Sequence, residues 1–202
     1  MVERHEQGTP PMQPRRTLTA LMLAVVLAAC TSTASTVTTE YYLVSGETSE
    51  ALDADLRRKG PMRGHALAVA AIRFEPVSVQ QEVTEAGCRF TEAKFRVKAN
   101  ITLPRWKERA TSRDRELRNA WDALSSYARA HEDQHVRIAE RYAGALGEAI
   151  EALPPRPTCE ALDASAKRVV DRIGREHDEA QLAFDRAEQR RLERLLRQAE
   201  TS

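Results

Sequence analysis

Residues 117–149 read LRNAWDALSSYARAHEDQHVRIAERYAGALGEA, a stretch without proline. Apolar residues recur in it every three or four positions, which is the spacing of one face of an α-helix. His131 and His135 lie on that face, one helical turn apart. We therefore predict one long helix that turns both imidazoles towards the interior or a cleft. The predicted stripe is Leu117, Trp121, Leu124, Ala128, His131, His135, Ile138, Tyr142, Leu146 and Ala149.

The two histidines belong to an H-E-x-x-H motif, His131-Glu132-Asp133-Gln134-His135. Two imidazoles four residues apart on a helix can bind one zinc ion. Glu132 is offset by about 100° round the helix and can reach a water on the metal without being a ligand. As a general base it would take the proton of that water. The motif thus predicts zinc-dependent hydrolysis; two satisfied core histidines are the alternative.

A catalytic zinc usually has three protein ligands and a water. A second helix, predicted to run from about Cys159 towards the C-terminus, offers three candidates for the third ligand. His177 lies on its apolar stripe, and Asp185 and Glu188 follow Phe184. A structural histidine is the alternative for the first residue, and a solvated charged face is the alternative for the two carboxylates.

The sequence before Pro104 predicts a sheet. Residues 41–44 are aromatic and branched, and residues 66–74 and 77–83 are two further strand regions. Residues 89–103 alternate between polar and apolar, which is typical of a half-buried antiparallel sheet. We predict that Pro104 ends this sheet.

The sequence after Pro104 predicts two helices. Pro154 and Pro155 stop the first, and the second runs from about Cys159 towards the C-terminus. The short link between them implies an antiparallel pair. The predicted class is α+β: a small antiparallel sheet followed by two long antiparallel helices, with a zincin-like site on the first.

The first 30 residues have the features of an export signal. Arg15 and Arg16 precede an uncharged, mostly apolar run, residues 17–29, that is short for a membrane-spanning helix. The run ends in Leu27-Ala28-Ala29-Cys30, which resembles the lipobox of bacterial lipoproteins. This pattern predicts lipidation of Cys30 and a membrane anchor, with an ordinary cleaved signal peptide as the alternative.

The signal divides the chain into three parts. We predict a lipoprotein signal at residues 1–30, a Ser/Thr-rich linker at 31–40 and one α+β domain at 41–200. Export would also place Cys88 and Cys159, the remaining cysteines, in an oxidising compartment. An even pair there favours one disulfide over two free thiols. The balance of 31 basic and 30 acidic side chains gives no reason to expect nucleic-acid binding.

With these residues in view, the chain resembles a family of bacterial exported proteins of unknown function, described as predicted secreted zinc-dependent proteases. The resemblance runs from about residue 41 to residue 190. It rests on the order and spacing of several short segments. These are residues 41–48 (YYLVSGET), 60–61 (GP), 86–88 (AGC), 101–106 (ITLPRW), 131–135 (HEDQH), Cys159 and 184–188 (FDRAE).

The resemblance implies a peptidase-like zinc site at His131 and His135 with Glu132 catalytic, and it supports pairing of Cys88 with Cys159. Some relatives carry Thr-x-His-Gly where this chain reads EQRR at residues 188–191. Because that histidine is absent here, Glu188 becomes the preferred third ligand, in a site of two histidines and a glutamate.

The sequence therefore leads to one principal functional hypothesis. We expect a zinc metallopeptidase of the bacterial envelope that hydrolyses peptide or protein substrates and is held by a lipid at Cys30, on the periplasmic face of the outer membrane. A non-catalytic envelope binding module is one alternative. A peptidoglycan amidase is another, because activated water can attack any amide.

Overall fold

A computed structural model of the chain describes residues 34–200. The predicted signal at 1–30, the lipidation site Cys30 and the first residues of the linker lie outside the described residues. Within 34–200, none of the helices is both long and apolar enough to span a membrane.

Three strands form one mixed sheet. Strand β1 is Thr36–Val44, β2 is Val69–Thr84 and β3 is Gly87–Trp106. The order in the sheet is β1-β3-β2, so β3 is central. β2 pairs with β3 antiparallel through a tight hairpin, whereas β1 runs parallel to β3. The α+β prediction is confirmed, but the sheet is not wholly antiparallel.

The strands are longer than the sequence pattern predicts. β1 begins at Thr36, so the second half of the predicted linker is strand. The two predicted regions before the hairpin form one strand, β2, whose register shifts between Pro76 and Ser78. β3 continues past Pro104 to Trp106. Proline is tolerated at this point because β2 pairs with β3 only as far as Thr102, so no bond to β2 needs its missing N–H.

Four helical segments complete the fold. They are α1 (Ser49–Lys59), α2 (Pro61–Gly64), α3 (Arg115–Glu151) and α4 (Cys159–Glu200). The Asp114 carboxylate caps α3 by accepting the Leu117 backbone N–H at 3.0 Å. The predicted helices, one over residues 117–149 and one from about Cys159, lie close to the observed bounds of α3 and α4.

The α3 and α4 helices are antiparallel neighbours. His131 near the middle of α3 meets Asp185, and Tyr142 further along meets His177, so contacts run in opposite directions along the two helices. At the far end, Cys88 of β3 forms a disulfide with Cys159, the first residue of α4. The prediction of this pairing is confirmed. Apolar residues surround it: Phe90, Ala93, Leu146, Ile150, Leu162 and Ile173.

The sheet packs directly against α3. Val97, Ala99 and Ile101 of β3 meet Ala128, Val136 and other small residues of the helix. Gly147 brings the backbones together, because a Cβ there would lie closer than 3.0 Å to the Ala93 carbonyl oxygen. Position 147 therefore excludes any side chain.

The α2 segment is a left-handed turn that leads from α1 into β2. Met62, Arg63 and Gly64 have φ values of 52°, 61° and 84°. Only glycine adopts this region without steric cost. Met62 is nevertheless 70% exposed, and its side chain lies at the mouth of the cleft described below.

Candidate metal centre

Three ligand-type atoms converge between α3 and α4. His135 Nε2 lies 3.1 Å from His131 Nε2. Asp185 Oδ1 lies 3.3 Å from His131 Nε2 and 3.0 Å from His135 Nε2. The three atoms therefore form a nearly equilateral triangle. The H-E-x-x-H motif on α3 supplies the two nitrogen atoms, and α4 supplies the carboxylate oxygen.

This triangle has the size of one face of a tetrahedral zinc site. With metal–ligand distances of about 2.0–2.1 Å, tetrahedral geometry separates neighbouring ligand atoms by about 3.3–3.4 Å. The observed separations of 3.0–3.3 Å are slightly shorter than that. Small outward movements would seat an ion, and the set of two imidazoles and a carboxylate is one that zinc accepts. The residues present fit zinc.

Gln181 fixes the orientation of His135. The Gln181 side-chain nitrogen donates to the backbone carbonyl of His135 at 3.1 Å, and a carbonyl can only accept. The other amide atom, Oε1, therefore faces His135 Nδ1 at 2.6 Å and must accept its proton. Neutral His135 then carries hydrogen on Nδ1 and a free lone pair on Nε2.

That lone pair meets other acceptors. His135 Nε2 and an ionised Asp185 are both acceptors, yet they lie 3.0 Å apart. Two facing acceptors repel unless a proton or a cation lies between them. A proton on His131 Nε2, or a bound cation, would satisfy these acceptors.

The surroundings of His131 disfavour its protonated form. Burial, followed by repulsion from His135, lowers the pKa of the His131 imidazole below its ordinary value. The Phe184 ring holds both imidazoles, with centroid distances of 4.9 Å to His131 and 5.1 Å to His135. Among the described residues, His131 Nδ1 is buried and has no hydrogen-bond partner.

Glu132 is more deeply buried than the histidines. Its exposed fraction is 5%, whereas the side chains of His131 and His135 are 21% and 14% exposed. The predicted stripe is thus rotated: Glu132 lies in line with Ala128 and Val136 on the sheet-facing side of α3, with the imidazoles beside it.

Burial also affects Glu132. It raises the pKa of the carboxyl above its ordinary value, and this effect outweighs the opposing influence of the nearby His135 and of a hydrogen bond from the Ala70 backbone N–H. A carboxyl with a raised pKa that lines the same cleft as the ligand-type residues is suited to taking and returning a proton.

The site opens into a cleft of about 460 Å³. Its polar lining comes from α3 and α4, and includes Glu132 and the three ligand-type residues. Its apolar lining comes from the left-handed turn, from β2 and from the residues that join them. The apolar residues are Met62, Ala66, Ala68, Val69, Ala70 and Ile72. One wall of the cleft is therefore polar and carries the ligand-type residues, and the other is apolar.

Residues 39–191 match the protein family described as "Bacterial protein of unknown function (DUF922)". The chain belongs to this family. The match to DUF922 begins and ends within two residues of the resemblance drawn from the sequence. Comparison with curated proteins and with solved structures gave no significant match.

The structure assigns different surroundings to the three candidate third ligands. Glu188, the preferred candidate, instead accepts from the Tyr127 hydroxyl at 3.4 Å and pairs with Arg191 at 3.3 Å. Asp185, the residue left as an alternative, reaches the imidazoles. His177 contacts Gln181, not the ligand atoms.

Gln181 is a site residue that the sequence analysis missed. A signal was present, because His177, Gln181 and Asp185 are spaced four residues apart and therefore share one face of α4. An uncharged glutamine has no recognised part in the H-E-x-x-H pattern, so the spacing alone gave it no role.

Proposed function

We propose that this DUF922 protein is a zinc-dependent metallopeptidase of the bacterial cell envelope. The observation that carries the proposal is the triangle of His131, His135 and Asp185 with Glu132 buried beside it in one cleft. Its ligand spacing matches zinc, and its fourth side faces open space, as a catalytic site requires.

Each residue has a distinct part in the proposed reaction. When bound, zinc would act as a Lewis acid and lower the pKa of a coordinated water to about 7. The two imidazoles and Asp185 would hold the ion. Glu132 would accept a proton from the attacking water at its carboxylate and then return it to the leaving amine. Burial of Glu132 would keep that proton from exchanging freely with solvent.

The cleft geometry supports a peptide substrate. Among residues 34–200, β2 pairs only with β3 and so has an outer edge. Residues of this strand line the cleft opposite the imidazoles: Val69, Ala70 and Ile72. An extended peptide can add to a strand edge through its backbone. Such a chain would run past the metal centre with its amide groups exposed to attack.

The sequence and the disulfide support the envelope location. The lipobox-like end at Cys30 predicts export and anchoring. The disulfide between Cys88 and Cys159 is stable only in an oxidising compartment, which agrees with export. We propose the periplasmic face of the outer membrane as the site of action.

Metal analysis and a pair of adjacent variants test the function. Purified protein should contain about one zinc per chain. Glu132→Gln should retain zinc and lose peptide hydrolysis by about 10²–10⁴-fold. Asp133→Asn is the matched control, because Asp133 is 41% exposed, forms an ion pair with Arg129 and does not line the cleft. It should leave both zinc and hydrolysis unchanged.

The same assays separate the alternatives. Failure of the protein to bind zinc, even when zinc is supplied in excess, would overturn the proposal. Zinc binding without hydrolysis of peptides or cell-wall fragments would indicate a binding module. Hydrolysis of cell-wall fragments alone would indicate an amidase, with the same dependence on Glu132.

A further inference from the structure

A chain of hydrogen bonds runs from the metal centre along α4. His135 Nδ1 meets Gln181 Oε1 at 2.6 Å, and Gln181 Nε2 meets His177 Nε2 at 2.8 Å. His177 Nδ1 then meets Asp178 Oδ1 at 3.1 Å. We propose that Gln181 is a positioning residue that holds His135 as the Nδ1–H tautomer, and that His177 holds Gln181 in the required orientation.

Every link in this chain has one consistent donor. Asp178 only accepts, so His177 donates from Nδ1 and accepts at Nε2. Gln181 donates to that nitrogen from its amide NH₂, which also donates to the backbone carbonyl of His135 at 3.1 Å. Rotating the amide by 180° would set oxygen against oxygen at the carbonyl. The arrangement therefore has one solution, and it leaves the lone pair of His135 Nε2 directed at Asp185.

The position of His177 supports the second part of the proposal. Its ring is held edge-on by Phe74 at 5.1 Å and by Tyr142 at 5.7 Å. Its side chain is only 13% exposed. A ring held from two sides by aromatic residues is a fixed acceptor for Gln181. His177 thus acts on the site through Gln181 and need not contact the metal.

The inference rests on the proposed zinc site for its functional meaning, but not for its test. In the zinc-free protein at about pH 8, where imidazoles are neutral, nitrogen-15 NMR distinguishes the two tautomers of each histidine. Wild-type His135 should be predominantly the Nδ1–H form. Gln181→Leu removes the acceptor and should move His135 towards the Nε2–H form.

Two further variants make the result specific. Gln181→Glu keeps an acceptor oxygen beside His135 Nδ1 and should retain the Nδ1–H form, while its second oxygen replaces the donor to the His135 carbonyl and should lower the thermal stability. Gln189→Leu makes the same exchange as Gln181→Leu two turns further along α4, at an exposed residue that contacts Glu193. It should leave His135 unchanged. Thermal unfolding of each variant identifies any loss of fold.

Zinc affinity gives the functional measurement. Competition with a chromogenic chelator should show a fall of about 10–100-fold for Gln181→Leu, the usual effect of removing an outer partner of a metal-binding histidine. Gln189→Leu should match wild type. An unchanged His135 tautomer in folded Gln181→Leu would overturn the inference. Failure of every variant and wild type to bind zinc would overturn the proposed function, while the tautomer result would still decide the role of Gln181.

Discussion

Among residues 34–200, two buried carboxyl groups lie in very different regions. Asp55, at the corner where β1 meets α1, is 2% exposed, and Glu132, in the cleft, is 5% exposed. Asp55 accepts the Ser45 backbone N–H and the Lys59 ammonium, each at 2.8 Å, and also pairs with Arg58. The Lys59 hydrogen bond leads the interactions that lower the pKa of Asp55.

Glu132 has no comparable set of partners. Among the described residues, no lysine or arginine pairs with it, and burial raises its pKa. A buried carboxyl with cations and donors around it stabilises a fold, whereas one held without a cation opposes the fold and needs another reason to persist. The comparison distinguishes a structural carboxylate from one suited to proton transfer.

The largest expected effect tests which carboxylate completes the metal centre. Asp185→Ala should weaken zinc binding by more than about 100-fold, because loss of a direct ligand should exceed the loss caused by an outer partner. Glu188→Ala, three residues away on the same helix, should leave affinity within about twofold, since Glu188 contacts Tyr127 and Arg191 instead. Isothermal titration calorimetry measures both. The reverse order of effects would make Glu188 the ligand.

Substitutions of two glycines on α3 test how closely this helix packs against the sheet. Gly147→Ala should lower the free energy of unfolding by about 1–3 kcal/mol, because the new Cβ would be forced against the Ala93 carbonyl. Gly144→Ala should raise it by up to about 1 kcal/mol, since space around Gly144 is open and alanine favours helix. Urea denaturation of both variants gives the comparison, and similar values would contradict the close contact.

Asp55→Asn should destabilise the protein in a pH-dependent way. The folded-state pKa of Asp55 lies below its unfolded value of about 3.8. Its contribution is therefore present above that pH and is lost as the pH falls through the folded pKa. The difference in unfolding free energy between wild type and Asp55→Asn should be largest near neutral pH and shrink below pH 4. A difference that does not change with pH would show that Asp55 stabilises the fold through packing and not through its charge.

Glu132→Gln should show a smaller dependence of the opposite sign. In zinc-free protein the raised pKa means that the unfolded state loses its proton first, so wild-type stability falls as the pH rises above about 4.5. The glutamine variant lacks this loss. Its stability relative to wild type should therefore increase with pH until the folded carboxyl ionises. Denaturation at several pH values, with a chelator present, measures the difference.

Much of the architecture follows from local sequence. The periodicity of residues 117–149 and the prolines after them predict the two long helices, and the alternation in residues 89–103 predicts the central strand. The direction of β1 could not be predicted in this way. Whether two strands run parallel depends on how the chain returns to the sheet, and short-range patterns carry little information about that.

The candidate metal centre was predictable only in part, because its third ligand depends on tertiary packing. The spacing of His131 and His135 fixes two ligand positions on one helix. The third depends on the rotation of α4 about its axis. Asp185 and Glu188 are three residues apart and so differ by only about 60° round that helix. Tertiary packing decides between them, chiefly through Phe184, whose ring meets both imidazoles.

The left-handed turn at residues 62–64 lines the entrance of the cleft, whereas the imidazoles and Asp185 lie on the two long helices. Two non-glycine residues in that conformation hold about 1–2 kcal/mol each of unfavourable backbone free energy. Substitution of either residue by glycine would remove much of this backbone cost and would change no residue of α3 or α4. Substitutions at positions 62 and 63 can therefore alter the entrance while the residues that carry the imidazoles and Asp185 stay the same.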